Sequence, residues 1–534
     1  MAWQHDRARQ RIKGRINDAP AIQVQRFHDE YLPSYEDHRV KLEAAREPVT
    51  PPLFNLPRGR AVLVGTVQVY VGITNYDEFR MDEGRETEAS HERALRFLHL
   101  YYSTCDRVVG LGRVQRVDFH GGRMHAVVLS LSGTDVNQED LAEAFAFVRD
   151  FQAVADQANR ELANSEFTAR FRIGIDVGPC VAINNGTGLE QEPMFLGSAA
   201  NHAAKLASGD QPGVYLSDRA RSIMGLPGPG ISEASNAIAS GIVERALAQR
   251  DETVLAERLS VDRPTSPKEL VESWRQDIRS KRVDDPTTPR FTFHHKEPPL
   301  SEIKYRDLSP SNSIRMPLVS VFADLSGYTA YVDAAIASGD VADAVRALYV
   351  IREEFQSVVE GDFEGRKVRF IGDCIHALLA EGDKTQTDAR QSVTQGVSCA
   401  GGLHSSFNLC QQELQGIATL GLAIGLELGP TPISRIGIRG ERSVRLATSV
   451  ATALSEKLQK DCDTGEVKLG PSALQKLPAP LHDLFDASGL ATGLSYDDVC
   501  IALSVDPAAP AAPVHAKAHT PPSRNIPRAH ATTE

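Results

Sequence analysis

VSVFADLSGYT (residues 319–329) and KVRFIGDCIHALL (residues 367–379) are the two stretches of sequence that decide the fold. Each is rich in β-branched and apolar residues over the length of a buried strand, and each carries one acid, Asp324 or Asp373, beside small residues. We expect the first to be a strand that turns into a helix. The second should be a β-hairpin with Asp373 at its tip.

Both stretches have a counterpart in the first half of the chain. The counterparts read VQVYVGITNY (residues 67–76) and RVDFHGGRMHAVV (residues 116–128), and they place Gly72 and Gly122 where the two aspartates stand, 252 and 251 residues earlier. A repeat of this period indicates a duplicated domain rather than a solenoid. One half has kept a pair of acids and the other has lost it, so we expect the halves to have divided the chemistry.

Composition limits the class of protein. The chain has 534 residues, of which 41% are apolar, so we expect two to four globular domains. A formal net charge of −12 argues against nucleic acid as a partner. The seven cysteines are scattered without a zinc-type pattern, and no apolar run is long enough for a membrane span or signal peptide. We therefore expect a cytoplasmic protein without zinc.

The order of elements predicts an α+β fold in which each half has a sheet with helices on one face. In each half a later strand is expected to break at a Gly-Pro pair, Gly178-Pro179 or Gly429-Pro430. The expected divisions are a charged, partly helical N-terminal segment (residues 1–57), a degenerate domain (58–257), a linker (258–315), an acid-bearing domain (316–505) and a disordered Ala/Pro-rich tail (506–534).

Paired acids at neighbouring strand ends suit a hard divalent cation. If the strands pair, the two aspartates reach one point and can hold two Mg²⁺ or Mn²⁺ ions, with the Leu325 carbonyl as a further oxygen. The backbone N–H groups of Gly327, Tyr328 and Thr329 would then face phosphate oxygens near a helix N-terminus. The alternative is that each aspartate is an ordinary turn or capping residue. Their joint occurrence in a repeated frame favours the metal site.

Four stretches together resemble a known family. FADLSGYT (residues 322–329) and FIGDCIHA (residues 370–377) look like the two metal-aspartate motifs of class III nucleotidyl cyclases. FRIGIDVGP (residues 171–179) and LAIGLELGP (residues 422–430) are similar to another strand of that family. The resemblance implies the ferredoxin-like cyclase fold. It also implies two cyclase domains paired as a pseudo-dimer, with a metal-dependent active site at their interface.

The resemblance also assigns roles to a helix of the first half. In LGSAANHAAKL (residues 196–206), Asn201 stands where the family has an Asn that orients the ribose, and Lys205 stands where it has an Arg that stabilises charge on the α-phosphate. The spacing puts both on one helix face. Lys lacks the bidentate fork of Arg, which changes the geometry of the contact. The alternative is an exposed lysine and an ordinary helical asparagine.

The matching helix of the second half offers no such pair. The three candidate pairs of residues there contain no Asn, namely Ala451/Ser455, Thr452/Glu456 and Ala453/Lys457. The losses are therefore complementary, and one composite site should work while its pseudo-symmetric twin should be inactive.

Two further positions bear on the base of the substrate. In the purine cyclases of this family, base selection rests on a Lys and an Asp for adenine, or on a Glu and a small residue such as Cys for guanine. The corresponding positions here hold Asp118 and Met194. Met194 cannot accept a hydrogen bond from an adenine amino group, whereas Asp118 can accept from guanine, uracil or cytosine. The alternative is that Asp118 is a solvated strand residue and Met194 a core residue.

Residues outside the purine code, in a chain without sensor or membrane segments, resemble the pyrimidine cyclases of the Pycsar anti-phage systems. That resemblance implies conversion of UTP or CTP to cUMP or cCMP plus pyrophosphate, and a separate effector protein that reads the product. GTP and then ATP are the next candidate substrates. A catalytically silent nucleotide sensor on the same fold is the alternative from another class. Pairing of the halves within one chain and pairing across a homodimer both remain open.

Overall fold

The computed structural model describes residues 2–47, 49–109, 113–162, 168–184, 193–228, 237–247, 267–280, 290–437 and 443–505. The expected tail, residues 506–534, lies outside this range, as do parts of the expected linker. Two sheets organise the chain, and we call the part built on the first sheet the first lobe (residues 60–280) and the part built on the second sheet the second lobe (residues 290–505).

The sheet of the first lobe has seven strands in the order β3-β4-β2-β5-β6, with β1 parallel to β2 and β7 parallel to β5. Its strands are β1 Gln23–Arg26, β2 Arg60–Ile73, β3 Gln115–His120, β4 Arg123–Leu129, β5 Phe171–Asn184, β6 Pro193–Leu196 and β7 Gly213–Leu216. The helices of this part of the chain are α1 His5–Asp18, α2 Leu32–Ala45, α3 Tyr76–Arg80, α4 Glu88–Val109, α5 Gln138–Leu162, α6 Ser198–Leu206, α7 Asp218–Ile223, α8 Ser240–Leu247 and α9 Pro267–Ser280.

The second lobe repeats this plan with eight strands in the order β10-β11-β9-β12-β14-β15, with β8 on β9 and β13 on β12. Its strands are β8 Phe293–His294, β9 Ser313–Ser326, β10 Arg366–Ile371, β11 Cys374–Leu379, β12 Gly421–Ile436, β13 Val444–Ala447, β14 Glu466–Leu469 and β15 Leu490–Thr492. Its helices are α10 Tyr328–Ser338, α11 Val341–Ser357, α12 Ala389–Glu413, α13 Val450–Lys460, α14 Pro471–Lys476 and α15 Tyr496–Val505.

The strand registers repeat as the duplication predicts. Phe119 pairs with Met124 in the first hairpin, and Phe370 pairs with Ile375 in the second, 251 residues later. The two long helices of each lobe, α4 with α5 and α11 with α12, contribute apolar residues to one core with the sheet, because their 3.6-residue periodicity gives each an apolar face. The expected α+β class, with helices packed on a sheet in each half, is confirmed.

The strands expected to break at Gly-Pro do not break. Both β5 and β12 continue past the proline, and Pro179 lies opposite Gly65 of β2. On its other side, β5 pairs with β7 through Arg172–Ile175 and with β6 only from Val181. The proline falls between these two partners, where its missing N–H removes no hydrogen bond from the sheet.

The N-terminal segment joins the two lobes. Helix α1 packs on the second lobe, where Arg11 donates to Glu354 and Asp362 at 2.5 to 3.0 Å and Trp3 Nε1 donates to Ser406 Oγ at 2.8 Å. Strand β1 then extends the sheet of the first lobe, and the residues that follow it pack against that sheet through Phe27. The first 57 residues therefore cross from one lobe to the other.

Residues 258–315 were expected to form a linker, but the parts of this range that the structure describes are packed into the two lobes. Leu270 and Val271 of α9 are buried in the core of the first lobe. Leu300 and Tyr305 are buried against the sheet of the second lobe. These apolar residues are widely spaced among charges and prolines, so the sequence shows no periodic pattern there. Among the helices of the described residues, none combines the length and apolarity that crossing a membrane requires.

Candidate active site

The two acids lie close together in the second lobe. Asp324 is near the end of β9, and Asp373 lies in the turn between β10 and β11, which is paired to β9 through β11. The carboxylate of Asp373 accepts a hydrogen bond from the backbone N–H of Leu325, the residue after Asp324. The strand pairing therefore brings both carboxylates to the same end of these strands, beside the N-terminus of α10.

Burial makes both acids hard to ionise. It raises the pKa of Asp324 to about 6, although Lys460 and a hydrogen bond from Gln459 oppose the shift. Burial and then the neighbouring charge of Asp324 raise the pKa of Asp373 well above its usual range. Two half-buried carboxylates that repel each other are the donor set that a divalent cation stabilises, because the ion compensates both charges. The residues present therefore fit a Mg²⁺ or Mn²⁺ site.

Asn201 of the first lobe contacts the second lobe close to this acid pair. Its Nδ2 donates to Thr329 Oγ1 at 3.1 Å, in the first turn of α10, while the N–H of Ser198 donates to Asp333 of the same helix at 3.0 Å. Thr329 follows Gly327 and Tyr328, the other residues predicted to face phosphate. The structure thus brings the predicted asparagine from one lobe together with the turn that follows Asp324 in the other.

Lys205 lies one turn further along α6, and its side chain is exposed. Among the residues that the structure describes, none forms a hydrogen bond or an ion pair with its ammonium group. An exposed cation on the face that carries Asn201 is available for a phosphate, but the structure does not fix its position.

Asp118 does not present a free carboxylate. Arg369 of the second lobe binds both of its oxygens at 2.8 Å and also donates to the Phe119 carbonyl. The two residues are 251 apart, so pseudo-symmetric positions face each other across the interface. A base that Asp118 contacts would therefore meet the Arg369 guanidinium as well.

Met194 is buried between the lobes. Its Sδ lies 2.9 Å from Nη2 of Arg352, and the same nitrogen donates to the carbonyl of Gly372, the residue before Asp373. Met194 belongs to the apolar core that the two lobes share. The predicted base position thus touches the hairpin that carries the second acid.

The pseudo-symmetric twin site has a different composition. Gly174 packs against the Ala203 carbonyl, and Gly425 packs against that of Ser455, so the structure aligns Asn201 with Ala453 and Lys205 with Lys457. A cavity of about 260 Å³ remains there. Residues of both lobes line it, among them Gly72, Gly122, His120, Arg123, Ala453 and Glu456.

The charges of the twin site pair with one another. Glu456 lies 3.2 Å from His120 Nε2 and 3.5 Å from Arg123 Nη1. Although burial acts in the opposite direction, these groups and Lys460 hold the pKa of Glu456 well below its usual range. The acids are absent here, and a Cβ at Gly72 would lie 2.8 Å from the Ala207 carbonyl. Backbone has thus closed on one of the two positions where the second lobe holds an acid.

Two cyclase-like lobes that bring an acid pair opposite an asparagine define the architecture of a class III nucleotidyl cyclase. No protein-family model matches the chain. The crystal structure of a class III adenylyl cyclase-like ATP-binding protein from Pseudomonas aeruginosa is 32% identical with a TM-score of 0.81, and the match covers 94% of this chain and 100% of that one.

Two uridylate cyclases match almost the whole chain. The protein of a Rhizobium species is 43% identical over 520 residues, 93% of this chain and 95% of the relative. The protein of Pseudomonas aeruginosa is 35% identical over 515 residues, 95% of this chain and 92% of the relative. The chain therefore belongs to the uridylate cyclase family. The predicted resemblance to class III cyclases, and to their pyrimidine-specific members, is confirmed.

Sequence reasoning missed the residues that surround the predicted ones. Arg369 and Arg352 contact Asp118, Met194 and Gly372. Arg369 lies within the quoted stretch of residues 367–379 but was given no role, and Arg352 lies outside every quoted motif. The repeat offset contained a usable signal for Arg369, because it places this arginine at the position that corresponds to Asp118. Nothing in the sequence distinguishes Arg352 from the other arginines of a charged helix.

Proposed function

We propose that the chain is a metal-dependent uridylate cyclase that converts UTP to 3′,5′-cyclic UMP and pyrophosphate. The observation that carries the proposal is the half-buried Asp324/Asp373 pair, which lies beside the turn that the Asn201 helix of the other lobe contacts at Thr329. The family supports UTP over CTP, since both relatives that match most of the chain are named uridylate cyclases.

The reaction needs no protein nucleophile. The 3′-hydroxyl oxygen of the substrate attacks the α-phosphorus, the bond to the bridging oxygen of the β-phosphate breaks, and pyrophosphate leaves with that electron pair. Mg²⁺ or Mn²⁺ held by Asp324, Asp373 and the Leu325 carbonyl would neutralise phosphate charge and acidify the hydroxyl. Asn201 would orient the ribose, Lys205 would offset charge on the α-phosphate, and Asp324 would assist removal of the hydroxyl proton.

The test is product formation from each nucleotide. Purified protein is incubated with Mn²⁺ and UTP, CTP, GTP or ATP in separate reactions, and the products are identified by mass spectrometry. We expect cUMP from UTP at a rate at least about tenfold above any other product. Asp373→Ala should abolish it. A product from ATP or GTP alone would contradict the pyrimidine assignment.

A second candidate is a nucleotide-binding protein without turnover. It is favoured by the relative of known structure, which is described as an ATP-binding protein, and by the lysine at the position where the family has arginine. Binding of ATP without any cyclic product from the four nucleotides would support this candidate and contradict the first.

We further propose that the cyclic product is a signal in bacterial defence against phage, made in the cytoplasm and read by a separate effector protein. This role rests on the resemblance to Pycsar cyclases. Plaque assays on cells that carry the gene with its neighbours would test it. Protection that persists with Asp373→Ala would contradict it.

A further inference from the structure

Arg352 is the bulkiest of the fully buried side chains among the described residues, with only 1% of its surface exposed. It extends from α11 toward the turn that carries Asp373. A buried guanidinium loses its hydration, which costs free energy unless its surroundings compensate the charge. Its position therefore calls for a physical reason beyond packing.

The guanidinium joins three parts of the site. Nη2 donates to the carbonyl of Gly372 and lies 2.9 Å from Met194 Sδ in the opposite lobe. Its Cζ lies 5.0 Å from the centre of the Phe370 ring in the strand that leads to the turn. The contacts thus connect the residue before Asp373, the strand that supports it and the other lobe.

The surroundings keep the guanidinium charged. Burial lowers the pKa of Arg352 to about 10, while Tyr328, Asp373 and Tyr349 act against the shift. The cation also opposes the rise in the pKa of Asp373. Arg352 is therefore a cation at neutral pH beside an acid pair that repels itself.

We propose that Arg352 is a positioning residue for the cyclase reaction: it holds the Gly372 carbonyl, and with it the Asp373 carboxylate, in place against Met194 of the first lobe. The hairpin tip is then fixed only when the lobes are docked, which links metal binding to assembly of the composite site. This inference rests on the proposed function for its catalytic consequence, but its effect on metal binding is independent of turnover.

The experiment uses Arg352→Met in the full chain, because Met keeps most of the volume and removes the charge and the donors. The affinity for Mn²⁺ is measured without nucleotide from the electron paramagnetic resonance signal of free Mn²⁺. We expect it to fall by about tenfold or more, and kcat for UTP to fall by roughly a hundredfold, the scale of an ångström-sized displacement, with KM changed less.

The sign of the Mn²⁺ effect separates this role from a simple electrostatic one. If Arg352 only competes with the metal for the carboxylates, its removal tightens Mn²⁺ binding. Unchanged or tighter binding in Arg352→Met would therefore overturn the proposal. Arg346→Met is the matched control, since Arg346 lies on the same helix and donates to the Ile16 carbonyl at 2.6 Å, away from the acids. It should keep the wild-type affinity for Mn²⁺.

Arg352→Lys keeps the test decisive if the Met variant does not fold. The flexible lysine stem does not fix its ammonium group at the position of Nη2, and lysine has no planar group to lie over the Phe370 ring. Mn²⁺ affinity should therefore fall by about threefold or more. A folded Lys variant with wild-type Mn²⁺ affinity and kcat would overturn the inference. If the wild-type protein makes no cUMP, the proposed function fails, but the Mn²⁺ affinities still decide the role of Arg352.

Discussion

Asp324 and Asp373 show how a residue's surroundings determine its chemistry. Aspartate in water is ionised at neutral pH, but burial raises the pKa of Asp324 to about 6 and that of Asp373 further. At the proposed metal site, an ion would have to displace any proton that these carboxylates hold, so protons and metal would compete.

The first prediction concerns pH. Because the pKa values of both carboxyls are raised in the folded protein, Mn²⁺ affinity should increase as the pH rises through about 6, the pKa of Asp324. Calorimetric titration between pH 5.5 and 8 measures this. The same affinity at both ends of that range would contradict the raised pKa values.

The second prediction concerns stability without metal. A raised pKa means that the folded protein binds the proton more tightly than the unfolded chain, so stability is lost as the pH rises through the folded value. Asp324→Asn should therefore be more stable than wild type when both are freed of metal with EDTA. At pH 8 its free energy of unfolding in urea should be higher by on the order of 2 kcal/mol. The difference should shrink as the pH falls through 6. A variant less stable than wild type at pH 8 would argue against the raised pKa of Asp324.

The third prediction concerns Asn201. Its amide contacts Thr329 rather than supporting a core, so Asn201→Ala should fold normally and lose roughly a hundredfold in kcat. His202→Ala, an exposed neighbour on the same helix, is the control and should stay within about threefold of wild type. Equal activity of the two variants would remove Asn201 from the proposed site.

At the residue scale, the sequence identified the chemical groups that stand in a motif. It did not identify contacts that arise only when distant elements pack together. The acids and Asn201 stand in recognisable frames, and the structure brings their elements together. The partner of Met194 could not be predicted, because Arg352 approaches from a helix of the other lobe. The partner of Asp118 was missed, although the repeat offset pointed to Arg369.

Among the elements, α1 has a larger role than its composition suggests. The helix is strongly polar, yet its arginines contact Glu354 and Asp362, whose side chains are almost completely buried. Removing a cation would leave a buried acid without its full compensation. The helix is therefore attached to the second lobe by these ion pairs as well as by the buried Ala8 and Ile12.

The fourth prediction follows from this attachment. Arg11→Met should lower the free energy of unfolding by about 3 kcal/mol, the lower range for breaking a buried ion pair, because Arg15 still contacts Glu354. Arg39→Met on α2 removes an exposed pair with Glu43 and should cost less than about 1 kcal/mol. Urea unfolding of both variants measures the difference. Equal losses would show that α1 is not held by these charges.

The long helices and central strands could be predicted because their periodicity is strong, whereas three features could not. Strands β5 and β12 continue past their prolines because each proline lies beside a gap between two neighbouring strands. The position of that gap depends on where the neighbouring strands begin and end. The short parallel strands β7 and β14 are four residues each and have no pattern of their own. The packed part of the expected linker is anchored by isolated apolar residues.

In the whole molecule, the composite site depends on how the lobes pair. Asn201 meets Thr329 within one chain, Arg369 binds Asp118 across the same interface, and the N-terminal segment connects both lobes. The duplication predicted the two lobes, but the sequence left internal pairing and exchange between two chains equally open. The contacts described above are those of pairing within one chain.

The fifth prediction tests that pairing. An Asp373→Ala protein should be inactive and an Asn201→Ala protein should keep roughly a hundredth of the activity. If each site takes both halves from one chain, mixing the two after co-refolding should restore no cUMP formation. Wild-type protein diluted with either variant is the control and should keep its activity per molecule. Recovery of activity in the mixture would indicate exchanged lobes.

The Ala207 carbonyl lies where a side chain at residue 72 would have to go. Restoring an acid at that position requires the chain at the C-terminal end of α6 to shift at the same time. The first lobe is thus packed around the glycine that replaced the acid. The first lobe has no acid pair of its own, so substitutions in it are limited mainly by the contacts that it makes with the second lobe.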